Sequence, residues 1–136
     1  MDGTEGQKKV QATTPQRPIW IENRDYPEAE LQALLRREGE VCIEKQRFDV
    51  FAGNRNAAAV FEALLRGKED VVVYGVVTEV CVDQAITGLK DRPVRLHVPM
   101  DAIAALSEAR GKETLEKWRR WRVRLTTVAE VVAELC

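Results

Sequence analysis

The sequence predicts an open α/β fold with a mostly parallel sheet. Two observations carry that expectation. Strand-like apolar runs alternate with helix-like segments along the chain, and VVVYGVV (71–77) is β-branched and apolar on both faces. Alternation of this kind joins parallel strands by crossover helices, and a strand covered on both sides loses the usual polar alternation. With 136 residues the chain suits a single domain over 1–136, with a polar arm or loop over 1–18 that holds Pro15 and Pro18. A chain of this length buries roughly two-thirds of its surface on folding without staples.

The elements follow in order. IWIEN (19–23) reads as a short strand. DYPEAELQALLRREG (25–39) reads as a helix: Asp25 and Glu28 stand at capping-box spacing, Leu31, Leu34 and Leu35 share a face, and Gly39 ends it. VCIEK (41–45) is a strand, and NAAAVFEALLRG (56–67) is a helix with Val60, Phe61, Leu64 and Leu65 on one side and Gly67 as its stop. VVVYGVV is the strongest strand signal, and VCVDQAITGL (80–89) continues from it as a helix. VRLHV (94–98) and VRLTT (123–127) are further strands, separated by a helix over 107–121. Thr127 and Glu130 form a second capping box opening VAEVVAEL.

Composition narrows the function classes. Hydrophobic residues make up 45% and charged residues 32%, and the net charge of −1 gives no reason to expect nucleic acid or an anionic membrane as partner. No apolar run reaches the roughly 18 residues of a membrane span, and the first residues lack the apolar core of a signal peptide. Cys42, Cys81 and Cys136 are too widely spaced for a metal knuckle or a disulfide framework, which fits a reducing cytoplasm. KWRRWRVR (117–124) mixes basic and aromatic residues, but Leu115, Trp118 and Trp121 fall at helical spacing and read as a core face with the arginines outward. His97 lies mid-strand between Leu96 and Val98 and reads as a core or edge histidine, not a ligand.

Two segments carry chemistry. In GVVTEVCVDQA (75–85) a thiol stands where a strand gives way to a helix. Active sites of open α/β sheets lie at the carboxyl ends of strands, and the free N–H groups of a helix start favour a thiolate. The competing reading is that Cys81 is a small buried hydrophobe. In EKQRFDVF (44–51), Lys45 at a strand end could point inward and hold such a thiolate by charge; the competing reading is a surface lysine.

Together these segments resemble the isochorismatase-like cysteine hydrolases, a superfamily that includes nicotinamidases, N-carbamoylsarcosine amidase and ureidoacrylate amidohydrolases. GVVTEVCV (75–82) is similar to the family's Gly-apolar-apolar-Thr-x-x-Cys-Val, and KQRFDVF (45–51) to its earlier lysine motif. VRLHVPMDAIA (94–104) resembles the strand after the cysteine helix, and GTEGQ (3–7) a segment of nicotinamidase-like members. The resemblance implies a three-layer α/β/α sandwich with a Rossmann-like sheet. It also implies Cys81 as the nucleophile, Lys45 as the cation beside it, the N–H groups of Val77 and Cys81 as oxyanion hole, and a cis peptide at Val76–Val77 that turns the Val77 N–H into the site. The substrate implied is a small-molecule amide, cleaved at its C–N bond through a thiol acyl-enzyme.

The match has one break. The family's general acid–base aspartate lies on a first strand, in a D-x-Q-x-D-F-like segment, and nicotinamidase-like members hold a metal through an Asp and two His of the same region. Nothing in this sequence matches that segment. The resemblance therefore implies an N-terminally truncated member with the first strand missing, no cofactor or metal held by these residues, and impaired amide hydrolysis. Without the family's first strand an edge of VVVYGVV would be left unpaired. The chain is therefore expected to be poorly stable or to associate through that edge as a homo-oligomer, unless the N-terminal arm or another chain fills the gap. Asp49, Asp83 and Asp101 already match other parts of the pattern and are not appointed in its place. The rival classes are a non-catalytic member serving as an oligomerising or binding module, and a redox-sensing thiol protein, which would need a resolving cysteine close to Cys81. The cysteine sets the chain apart from isochorismatase proper, a vinyl-ether hydrolase.

Overall fold

The first βαβ unit shows how the local signals resolve. The computed structural model describes residues 14–135, so GTEGQ (3–7), most of the 1–18 arm and Cys136 lie outside the described residues. Strand β1 (Pro18–Ile21) runs through helix α1 (Glu28–Leu35) into strand β2 (Glu40–Ile43), which pairs with β1 in parallel, Ile19 opposite Val41. The expected Asp25–Glu28 box does not form. Pro27 is extended (ψ 139°) and caps the helix through its carbonyl, which accepts from Glu30 and Leu31. Asp25 instead pairs with Arg55 at 2.8 Å, so a distant cation outcompetes the local cap. Gly39 stands four residues past the helix end, immediately before β2. A Cβ there would collide with the Arg17 carbonyl, so the close approach of two chain segments requires glycine.

Helix α2 (Val50–Gly53) is a single turn capped by Asp49, whose carboxylate accepts from the Phe51 N–H at 2.8 Å. Helix α3 (Ala57–Leu65) follows, and Gly67 leaves it with φ 72°, the left-handed conformation that stops a helix.

VVVYGVV departs from its expected form. It divides into strands β3 (Asp70–Val72) and β4 (Gly75–Val76), with Tyr74 69% and Val76 67% exposed. Among the described residues strand β3 has one partner, β5 (Arg95–Pro99), and Gly75 takes φ 132°, which breaks the run. A strand paired on one side alone is not central, and Val71, Val72 and Val73 are only half-buried. The remaining elements are helix α4 (Asp83–Leu89), strand β6 (Ile103–Ala104), helix α5 (Glu108–Arg120), strand β7 (Arg124–Thr126) and helix α6 (Val128–Leu135). Helix α6 opens on the expected capping box: Thr127 N–H donates to Glu130 Oε2 at 2.9 Å and Glu130 N–H to Thr127 Oγ1 at 3.2 Å.

Every strand pair is parallel, as the α/β class requires. The expected sheet is nonetheless three separate pieces by hydrogen bonding, β1–β2, β3–β5–β7 and β4–β6. Two cores match the two larger pieces. Ile19, Ile21, Leu31 and Val60 form the smaller; Val82, Ile86, Leu89, Leu96, Val98, Trp118 and Val123 form the larger. Helix α3 serves both, with Val60 in the first and Phe61 and Leu65 against the second.

The basic, aromatic stretch 117–124 follows its structural reading. Trp118 is fully buried, Leu115 and Trp121 pack against the larger core, and Arg119, Arg120, Arg122 and Arg124 are exposed. His97 is buried and its Nε2 lies 2.7 Å from Asp70 Oδ1. No helix among the described residues is long and apolar enough to cross a membrane.

Candidate active site

Cys81 does not stand in the first turn of an α-helix. Residues Thr78–Val82 form a π-helical turn ahead of α4, closed by Val82 N–H to Val77 O at 3.1 Å and by Asp83 N–H to Thr78 O. Such one-turn π segments frequently occur at functional sites. The peptide between Val76 and Val77 is cis. The sulfur is half-buried and carries no disulfide.

Lys45 follows β2 in an irregular loop. It is exposed, not inward-pointing, and its Nζ donates to the Phe48 carbonyl at 2.8 Å. Both residues nevertheless line one open pocket of about 730 Å³, together with Gln46, Arg47 and Phe48. Lys45 and Cys81 therefore come together from separate sheet pieces. Val76 and Val77 are not among those walls; they sit one step back, in β4 and at the head of the π turn.

Among the described residues, no group of three or more His, Cys, Asp or Glu could hold a metal ion. The three aspartates not appointed to the acid–base role all have structural partners. Asp49 caps α2, Asp101 accepts the Val128 N–H at 2.9 Å, and Asp83 binds Lys117 Nζ at 2.6 Å and Trp118 Nε1 at 2.8 Å. A second hollow, of about 550 Å³, lies at the other strand ends, with Asp70, Arg95 and His97 in its wall; among the described residues no Ser, Thr or Cys lines it.

Sequence reasoning passed over Glu79. It is 9% exposed, and its Oε1 accepts from the N–H groups of Leu106 at 3.0 Å and Ser107 at 2.9 Å. Backbone N–H donors, its own first and then those of Ser107 and Leu106, hold its carboxyl below the usual range. Glutamate is rarely buried, so composition gives no warning; its place two residues before the thiol was the available signal.

The family model of the Isochorismatase domain matches residues 5–130. The chain belongs to the isochorismatase family. Solved structures share its fold. An isochorismatase-like hydrolase from Alkaliphilus metalliredigens is 20% identical, with TM-score 0.55, over 72% of this chain and 52% of that one. The YcaC gene product of Escherichia coli, described as an octameric hydrolase of unknown specificity, is 23% identical, with TM-score 0.59, over 79% and 51%. The pyrazinamidase of Pyrococcus horikoshii, solved in complex with zinc, is 20% identical, with TM-score 0.53, over 76% and 54%. The chain spans about half the length of such structures, 48% and 47% in two further cases. A search of curated proteins found no match. The isochorismatase-family chain thus carries a hydrolase fold of parallel α/β type.

Proposed function

We propose that this isochorismatase-family chain is a cysteine hydrolase acting on the C–N bond of a small amide. The observation that supports it most is the shared pocket of Lys45 and Cys81. In this reading the Cys81 thiolate attacks the amide carbonyl and a C–S bond forms. The negative charge moves to the carbonyl oxygen, where the N–H groups of Val77 and Cys81 are the proposed donors. Collapse of that intermediate breaks the C–N bond and leaves an acyl-enzyme, which water hydrolyses to the acid and free thiol. Lys45, a cation in the same wall, favours the thiolate by charge. Helix α4 has seven residues and begins after Cys81, so the lysine carries more of that role than a helix dipole does. The resemblance of the family and the pyrazinamidase among the solved relatives support an amide of a small aromatic acid as substrate, in a reducing cytoplasm. No step is routed through a metal, because the described residues do not fit one.

The departing amine needs a proton, and the family's aspartate has no counterpart in this sequence. A missing general acid–base group costs about 10²–10⁴-fold. These residues by themselves should turn over activated esters, whose leaving groups need no proton, far better than amides. The test compares a p-nitrophenyl ester with nicotinamide, in wild type and Cys81→Ala. Ester turnover that disappears in Cys81→Ala, with negligible nicotinamide turnover, supports the reading. Ester turnover that survives Cys81→Ala would remove the nucleophile.

A second reading rests on the sheet edges. Strand β3 pairs only with β5 and β1 only with β2 among the described residues, and Trp20, Tyr74 and Val76 are exposed. Unpaired edges pair with other chains, so self-association belongs to the proposal, alone or beside catalysis. Sedimentation of wild type against Val76→Lys tests it, and a monomeric wild type at high concentration would end it.

A further inference from the structure

We propose that Glu79 is a positioning residue for Cys81, holding the turn that bears the thiol against the Leu106–Ser107 backbone. The inference rests on the reading of Cys81 as nucleophile. Two segments meet here twice. Strand β4 pairs with β6, Gly75 opposite Ile103 and Val76 opposite Ala104. A few residues on, Glu79 Oε1 takes the N–H groups of Leu106 and Ser107 at 3.0 and 2.9 Å. The strand pairing alone fixes only two residue pairs and ends before the π turn. The carboxylate carries the attachment forward into that turn, two residues from the sulfur.

The second oxygen sharpens the assignment. Glu79 Oε2 is buried without a hydrogen-bond partner among the described residues. A buried unsatisfied acceptor is costly. The carboxylate's anchoring therefore runs through one oxygen, which an amide carbonyl can replace. Ser107 also caps α5 through its Oγ, which accepts the Arg110 N–H. Glu79 thus ties the thiol's turn to the start of a 13-residue helix whose Trp118 is fully buried in the larger core. Val82 and Thr78 bury the far side of the π turn, and Glu79 supplies the polar tie on the side that faces Leu106 and Ser107.

Two substitutions separate acceptor geometry from charge. Glu79→Gln keeps an acceptor at the same reach and removes the charge. Glu79→Asp keeps the charge and draws the acceptor back by one methylene. Both are compared with wild type by iodoacetamide labelling at pH 6.5, reading Cys81 against Cys42 in the same molecule, with far-UV dichroism confirming the fold. The expected result is a Glu79→Gln ratio close to wild type and a Glu79→Asp ratio lowered about tenfold, within the about 10²-fold that a misplacement near 1 Å can cost. Glu79→Asp within twofold of wild type overturns the inference. So does Glu79→Gln falling as far as Glu79→Asp, or failing to fold, since the acceptor alone would then not hold the turn. Wild-type Cys81 labelling more slowly than Cys42 would strike the nucleophile reading itself, which these outcomes leave separate.

Discussion

The two halves of the molecule solve folding unequally. Residues 18–65 gather four buried apolar side chains around β1 and β2, whereas residues 70–135 gather seven around β3, β5 and β7, including the fully buried Trp118. The smaller half supplies Lys45 and the larger supplies Cys81. Small cores are marginal by themselves, so the lysine side of the site depends on how well the halves are joined. The joint is aromatic: the rings of Phe51 and Phe61 lie 5.0 Å apart, and both pack against the larger core. The proposed nucleophile thus lies in the better-packed half, and the lysine proposed to support it lies in the other.

The largest effect should come from Trp118→Ala. Truncating a buried Trp costs about 3–5 kcal/mol, and here Asp83 also loses the Nε1 donor while keeping Lys117. Urea unfolding should show the loss, and hydrogen exchange should rise in both halves, because the smaller one leans on the larger. Ile21→Ala, fully buried in the small core, should raise exchange in β1 and β2 and leave β5 and β7 slow. Equal rises everywhere would dissolve the distinction between the halves.

A smaller effect is expected at the joint. A Cβ on Gly88 would run into the Phe51 ring. Overpacking of this kind costs about 1–3 kcal/mol. Gly88→Ala should lower the melting temperature modestly and uncouple the Cys81 labelling rate from the Lys45 charge. Retained coupling would show that the halves meet elsewhere.

The smallest effect concerns acid. Asp70 is held well below the usual carboxylate range, by Arg95 first and His97 second. Its folded value lies below its unfolded value of about 4. Its contribution is therefore complete above that unfolded value and fades as pH falls through it toward the folded one. Acid titration of stability should be flatter in Asp70→Asn than in wild type below about pH 4, with β5 the first strand of the larger half affected. Identical acid limbs would show that this network does not stabilise the larger half.

The residues that the sequence made legible are those whose partners are near. The Thr127–Glu130 box formed because both members sit in one helical turn with no rival. The Asp25–Glu28 box, with the same spacing, lost to Arg55 from another element. VVVYGVV read as a covered strand because covering is a property of neighbours, which composition cannot show; it divides at Gly75 into β3, which pairs with β5, and β4, which pairs with β6. Trp118 was legible through helical periodicity, and Lys45 and Cys81 through their places at strand ends together with the resemblance, since no periodicity brings a loop lysine to a distant thiol. Glu79 stayed hidden because its burial depends on two backbone N–H groups in a loop far along the chain.

Whether the halves build one site is tested most directly by the thiol itself. Limited iodoacetamide labelling at pH 6.5, read by peptide mass spectrometry, compares wild type with Lys45→Gln. The account predicts that Cys81 labels before Cys42 and Cys136 in the folded wild type. It also predicts that Lys45→Gln slows Cys81 several-fold and leaves Cys42 unchanged. Labelling of Cys42 or Cys136 first, or a Cys81 rate indifferent to Lys45→Gln, would contradict it.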